Sequence, residues 1–303
     1  MAPSSCRICN GALNERFARV RDPETSEDFA IYICLSCGLG HTIPQPDDLD
    51  HYYGSSYHGN RHGFTATYRA KRRLRIVNSA FAGNATDKRL LDVGCGDGTF
   101  LLAARSAGWI VLGTELKPQI ARSTGLEVVE TIDELPHGRR FDCITLWHSL
   151  EHMRDPSSTL ARLAALLKTA GVLVIAVPNA AGLQASMFGS NWFHLDVPRH
   201  LYHFGAPSIV YLLHSIGFAV ERQWHAELEY DLLGWSQSVL NLLMPVPNSF
   251  FRALTGRTRE IGAVAQVVNL TLGAGLTAAA LPAVVAGTVS RRGGTLVTVA
   301  RRK

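Results

Sequence analysis

The stretch Leu90-Leu91-Asp92-Val93-Gly94-Cys95-Gly96-Asp97-Gly98-Thr99-Phe100 leaves its surroundings little choice of fold. Its first four residues read as a buried strand, the three alternating glycines as a bare, tight loop, and Thr99 onward as a helix. Strand, glycine loop and helix together are how a nucleotide-like ligand is held against the carboxyl edge of a parallel sheet. The spacing is G-x-G-x-G with an acid two residues before the first glycine, whereas the dinucleotide fingerprint is G-x-G-x-x-G with its acid only downstream. The loop therefore favours an adenosyl group without a pyrophosphate. Taken alone, the same pattern would also serve a tight strand-to-helix turn, so the flanking segments decide.

Those segments alternate. Strands are expected at Leu90–Val93, Ile110–Glu115, Glu127–Glu130, Asp142–Trp147, Val172–Val177, Phe218–Trp224 and Thr295–Ala300, with helices between them. The clearest helix is Ser157–Thr169, where Asp155 is placed to cap, Pro156 to start and Gly171 to stop it. Such alternation implies a mostly parallel sheet with helices on both faces and right-handed crossovers.

Two Cys-x-x-Cys knuckles, Cys6/Cys9 and Cys34/Cys37, precede this region. Each can aim two thiolates at one tetrahedral ion, and a segment so poor in apolar residues needs such a clamp to fold. The expectation is a structural zinc with four protein ligands and no open position for chemistry. Cys95 and Cys143 read as small packing residues. No secretory signal is expected in the first thirty residues, which carry several charges and no long apolar core, so a cytoplasmic location is expected, with peripheral contact at the inner membrane surface as its variant.

Segment by segment, residues 1–45 form a zinc-ribbon-like module, 46–88 a linker and helical lid, 89–232 the core, 233–292 a hydrophobic helical insertion and 293–303 the final core strand. The chain has 303 residues and a net charge of +5. From His51 to Thr86 there is no acid, while Arg61, Arg69, Lys71, Arg72, Arg73 and Arg75 are basic. That run reads as a solvated helix face or a contact for an anionic partner. Ile261–Ser290 carries no charge at all. The final strand must return to the sheet, which argues against a single membrane span; a helical hairpin is expected, packed as a homodimer contact, on the domain itself, or against a membrane surface.

Glu115 stands twenty-three residues after Asp92, at the end of the second core strand, where a carboxylate can bind both ribose hydroxyls. With "LDVGCGDGTFLLAARSAGWIVLGTELKP" and "FDCITLWHSLEHMRDPSSTLARLAALLKTAGVLVIAVPN" in view, the chain resembles the class I S-adenosylmethionine-dependent methyltransferases. The resemblance implies an α/β, Rossmann-like seven-stranded sheet of order 3-2-1-4-5-7-6 with strand 7 antiparallel. It also implies that Asp92, Gly94, Cys95, Gly96 and Gly98 lie beneath the cofactor, Glu115 holds the ribose and Leu116 lies against adenine. Ile132 and Asp133 would border the exocyclic amine, and Trp147 and His148 the sulfonium end. A narrower likeness, in the ribbon, Tyr52–Tyr57, Glu151-His152 and "NWFHLDVPRHLYHF", is to bacterial enzymes that modify sugars, polysaccharides or glycolipids.

Methyl transfer from a sulfonium is an in-line displacement, so positioning is the main task, and a hydroxyl acceptor gains from a general base. Histidine suits that role near neutrality. His200 in Pro198-Arg199-His200-Leu201 is the first candidate, followed by His148, His152 and His194, with His203 in the same loop and Asp196 able to orient one of them. Tyr57 and Arg61 could close over the cofactor. A small-molecule or glycan acceptor, above all a sugar hydroxyl, is the expected partner. RNA is the rival acceptor, but strand four ends Trp-His-Ser-Leu-Glu-His rather than in the Asn/Asp-Pro-Pro-aromatic motif of many base-methylating enzymes. A non-catalytic scaffold is the alternative from another class.

Overall fold

In the computed structural model, which describes residues 5–53, 65–81, 87–255 and 263–303, the chain forms two compact units, each gathered from separate stretches of sequence. One comprises residues 1–61, 178–209 and 224–296; the other 62–177, 210–223 and 297–303. Tyr57, Arg61, Arg257 and Arg259 lie outside the described residues.

The first unit is built on a four-stranded sheet that the sequence only partly discloses. Strands β1 (Leu13–Arg21), β2 (Asp28–Cys34) and β3 (Gly40–Ile43) form an antiparallel ribbon. A two-residue strand, β9 (Tyr202–His203), adds to its edge, with Gly40 opposite His203 and His41 opposite Tyr202. Glycine is required at position 40, because a Cβ there would lie 2.8 Å from that of His203. The inner face of the ribbon, with Phe29 and Ile31, shares one apolar cluster with Tyr52, Phe188, Trp192, Leu195 and Trp235. Apolar residues that the first forty positions lack are thus supplied from far along the chain.

A buried charge cluster fastens the same region. Arg199 donates to Asp22 Oδ1 and to Asp196 Oδ1, each at 2.9 Å, and to the Tyr52 carbonyl at 3.1 Å. Asp22 is wholly buried and also accepts from the Thr25 amide and hydroxyl. The guanidinium fork is the donor geometry suited to satisfying several acceptors at once.

The remaining elements of this unit are helical: α5 (Leu183–Phe188), α7 (Leu228–Leu243), α8 (Ser249–Leu254), α9 (Ala263–Ala279) and α10 (Leu281–Val289). The uncharged stretch is not the expected hairpin of two arms. Gln266–Ala279 and Leu281–Val289 meet at a 41° bend, and α9 packs instead on α7 and α8. No single described helix is long and apolar enough to cross a membrane.

The second unit carries most of the large sheet. Its strands are β4 (Arg89–Val93), β5 (Ile110–Thr114), β6 (Val128–Val129), β7 (Phe141–Trp147), β8 (Leu167–Pro178), β10 (Phe218–Trp224) and β11 (Thr295–Arg302). Their spatial order is β6-β5-β4-β7-β8-β11-β10, which is the expected 3-2-1-4-5-7-6. The first five strands in the core are parallel. At one end of β11 the Gly294 carbonyl meets the amide of Asn179, just past β8; at the other, the Lys303 amide meets the Gly217 carbonyl, just before β10. β11 therefore runs antiparallel to both neighbours. Around the sheet lie α1 (Ala66–Ala80), α2 (Thr99–Ser106), α3 (Gln119–Ser123), α4 (Pro156–Leu166) and α6 (Ala206–Ser215).

α4 starts as expected, with Asp155 accepting from the Ser158 amide and Pro156 in the first turn. It stops three residues short of Thr169. Leu167 already pairs with Phe141, and the register then jumps to Cys143 opposite Val172. Gly171 serves this irregularity rather than the helix end: a Cβ there would sit 2.9 Å from Leu167 Cδ2 and the Lys168 carbonyl.

Candidate functional site

At the carboxyl end of β4 the glycine loop turns through three positive φ angles: +76° at Gly94, +58° at Gly96 and +80° at Gly98. Only glycine takes up such a succession without strain. The amides of Gly94 and Cys95 both donate to the Thr114 carbonyl at 2.9 Å, which ties the loop to the end of β5. The Gly96 amide donates to Glu115 Oε2 at 2.8 Å, so the loop itself orients that carboxylate. Gly98 is further constrained, since a Cβ would lie 2.4 Å from Leu126. Cys95 is buried, which pushes its thiol above the ordinary range, as for a small packing residue.

The other expected residues of this unit are spread around the same strand ends. Leu116 is 69% exposed, an apolar side chain left open beside Glu115. Ile132 and Asp133 form a single helical turn after β6, where Asp133 pairs with Arg162. Trp147 ends β7, buried and edge-on to Phe100. His148 follows with φ of +54°, its amide bonded to the Ala176 carbonyl at 2.8 Å and its Nδ1 3.7 Å from Glu151 Oε1. A left-handed histidine at a strand end is a strained conformation of the kind that gathers at functional sites. His152 completes the short turn Leu150–His152.

Several residues of this site are not evident in the sequence. Ser149 donates to the Val93 carbonyl at 2.8 Å, and its Cβ lies 2.7 Å from where a Cβ on Gly94 would be. His148 is thereby held one residue from direct packing on the glycine loop. Thr145 donates to Asp92 Oδ1 at 2.6 Å. Arg73 on α1 stacks its guanidinium over the Trp147 ring at 4.8 Å from the centroid, and Arg69, one turn earlier, is buried with it. The basic run of α1 is therefore only partly a solvated face; the four-residue spacing of Arg69 and Arg73 was the available signal.

Burial pushes the Asp92 carboxyl up to about 7, against the Thr145 hydrogen bond and the Arg73 charge, with Glu115 adding to the rise. The unfolded chain would ionise this carboxyl near its ordinary 3.8. Between those values the folded protein keeps a proton that the unfolded chain has lost, so this residue's contribution falls as pH rises from about 4 to about 7 and then levels off. Asp92→Asn should flatten that slope in thermal midpoints measured from pH 4 to pH 8. A variant with the parent's slope would show that Asp92 is ionised throughout.

In the ribbon, the four sulfurs of Cys6, Cys9, Cys34 and Cys37 all lie within 4.8 Å of one another. Cys6 and Cys37 are 3.7 Å apart, Cys9 and Cys34 3.3 Å. Tetrahedral zinc at 2.3 Å from each sulfur requires separations of about 3.8 Å, so the set fits with small adjustments. Amides of Ile8, Gly11 and Cys37 point at Cys6, Cys9 and Cys34 from 3.4–3.5 Å, as donors to thiolates would. These four residues would hold the ion, and its contribution there would be structural.

The histidine-rich loop belongs to the ribbon's unit. His200 places Nδ1 2.9 Å from the His194 carbonyl and Nε2 3.9 Å from Asp196 Oδ2, while its own carbonyl accepts from Thr42 at 2.6 Å. His194 Nε2 meets the Tyr230 carbonyl at 3.0 Å. His203 Nε2 lies 2.9 Å from the Thr42 hydroxyl, and burial lowers its pKa to about 3, so it stays neutral.

The large sheet, its strand order and the glycine loop define a Rossmann-like nucleotide-binding domain. Residues 65–223 match a family model described as a methyltransferase domain, and the chain belongs to that family. It is 34% identical over 144 residues to the ubiquinone biosynthesis O-methyltransferase of Bordetella avium, covering 42% of this chain and 60% of that protein. It is 30% identical over 130 residues to the protein of that name from Xanthomonas oryzae pv. oryzae, covering 38% and 54%. The chain thus spans little more than half the length of these curated relatives. A solved phosphoethanolamine N-methyltransferase 2 of Haemonchus contortus, in complex with phosphomonomethylethanolamine and S-adenosylhomocysteine, shares the fold. Its TM-score is 0.54 at 16% identity, over 98% of this chain and 70% of that one.

Proposed function

We propose that this protein is an S-adenosylmethionine-dependent O-methyltransferase whose acceptor is a sugar hydroxyl of a glycan or glycolipid. The observation that carries the reading is the Gly96 amide clamped on the Glu115 carboxylate. It presents an acid at the end of β5 beside a bare loop and an open Leu116, a cradle for ribose and a flat base. When bound, the sulfonium cofactor supplies an activated methyl group. Family membership and the name O-methyltransferase borne by the relatives support transfer to oxygen.

His148 is the base that this geometry favours. The Glu151 carboxylate facing Nδ1 would hold the proton there and leave Nε2 as the nitrogen that takes the acceptor's proton. His200 has a similarly fixed ring within the ribbon's own unit, with Nδ1 toward a carbonyl. The sugar assignment rests on the likeness of the ribbon and the Asn191–Phe204 segment to sugar-modifying enzymes; the two segments share one unit and a hydrogen-bonded edge.

His148→Gln should lower kcat about 100-fold or more while S-adenosylmethionine affinity, measured by calorimetry, stays within about twofold. An unchanged kcat would remove His148 from the chemistry. Mass spectrometry of glycans and glycolipids from cells with and without the gene should reveal a lost methyl group. Unchanged glycans with undermethylated RNA would replace the acceptor.

A further inference from the structure

The bent pair α9–α10 is built inside out. The side chains it turns toward the protein are small or polar: Asn269, Gly273, Ala280, Val284 and Gly287 are buried. Asn269 accepts a hydrogen bond from Ser249, and Gly273 lets the Phe250 ring approach so closely that a Cβ would lie 2.2 Å from it. Most of the larger aliphatic side chains point the other way, with Leu270 and Leu276 half-buried and Val284 turned inward. Val267 is 63% exposed, Val285 59% and Val289 80%, with Val268, Leu272 and Leu281 also exposed. A helix pair resting on a protein core in water shows the reverse arrangement.

Two further features say what covers this face. All four hydroxyl residues described on and just after the pair bond to their own helix: Thr271 to the Val267 carbonyl, Thr277 to Gly273, Thr288 to Val284 and Ser290 to Ala286. Donors satisfied within the helix require nothing from water or from a partner's polar groups, which is the condition hydrocarbon imposes. On the carboxyl side of the run, beyond the Glu260 that precedes it, the charge is of one sign. From Ile261 to Lys303 there is no acid, and the exposed Arg291 and Arg292 follow directly on the apolar run.

The geometry points to a membrane-seating surface: the outward face of α9–α10 lies in one leaflet of an anionic bilayer, with Arg291 and Arg292 at the level of the phosphate headgroups. Seating, not spanning, follows from the length of each helix taken singly and from the way the bent pair is held to its neighbours. α9 is 17 residues and α10 nine; at 1.5 Å per residue neither covers a hydrocarbon core of about 30 Å. The inward stripe also keeps the pair fastened to α7 and α8 along its length. Apolar burial would supply the attraction and the two arginines the preference for anionic lipid.

The full-length protein can be floated with vesicles of phosphatidylcholine alone or of equal parts phosphatidylcholine and phosphatidylglycerol. Parent protein should float with the anionic vesicles. Arg291→Gln/Arg292→Gln should weaken that binding about tenfold or more, and the paired change Val267→Glu/Val285→Glu about a hundredfold. Both valines face outward, so thermal midpoints should stay within about 2 °C of the parent; Leu272→Glu gives an independent third position. The inference fails if parent and Val267→Glu/Val285→Glu bind equally, or if the parent binds neither vesicle. It fails too if light scattering shows a lipid-free dimer that the glutamates dissociate, since a second copy would then cover the face.

Discussion

Arg199→Met should destabilise the ribbon-bearing unit by about 3–5 kcal/mol, the range for stripping one partner from a buried ion pair. The reason lies in what remains. Asp22 is wholly buried and would be left with the Thr25 amide and hydroxyl as its described side-chain partners. Asp196 and the Tyr52 carbonyl lose donors in the same stroke. Urea unfolding followed by tryptophan fluorescence should report the loss, since Trp192 and Trp235 share an apolar cluster with Tyr52, whose carbonyl Arg199 holds. Adding Asp22→Asn to Arg199→Met should restore part of it, because the neutral amide can be buried at lower cost. A single-variant loss below about 1 kcal/mol would mean that the cluster is solvated in solution, as surface pairs are.

The second large effect concerns the cofactor. Glu115→Ala should weaken S-adenosylmethionine binding about a hundredfold or more, from two charge-assisted hydrogen bonds each contributing roughly 1.5–3 kcal/mol. The Gly96 amide also loses its acceptor, so the loop is less well prepared for the ligand. Glu115→Gln keeps an oxygen for one hydroxyl and should fall between the two, near tenfold. Thermal stability should hardly move, since the side chain is partly exposed and, among the described residues, hydrogen-bonded to the loop. Calorimetric affinities that agree within threefold across parent, Gln and Ala would overturn the ribose assignment and with it the reading of the strand end.

What could be read from the residues was mainly periodic and local. Asp92 through Phe100 declares its strand, loop and helix because glycine spacing is a backbone constraint visible in one dimension. Alternation announced a mostly parallel sheet, while the strand order came only with the family resemblance and is the order the structure has. The knuckles likewise announce four converging sulfurs, and the structure brings them together. Two classes of feature escaped. Long-range pairings of very short elements carry no pattern: Tyr202-His203 is two residues, and nothing near it says that Gly40-His41 is its partner. Local signals were also overruled by pairing, as when Leu167 left its helix to meet Phe141. In the uncharged stretch, composition alone was legible, and the absence of periodic polarity hid which side faced the protein. Arg73 shows the opposite failure, a charge in a basic run that the fold spends on an aromatic ring.

The Asp22–Arg199 bond spans 177 residues, and that separation sets a timetable. At about 5–20 residues per second of synthesis, Asp22 leaves the ribosome roughly ten to thirty-five seconds before its counterion. The edge of β3 waits equally long for Tyr202 and His203. The ribbon, made well before these partners, is therefore among the last parts to be finished, and its open strand edge must meanwhile be kept from pairing with a neighbour's.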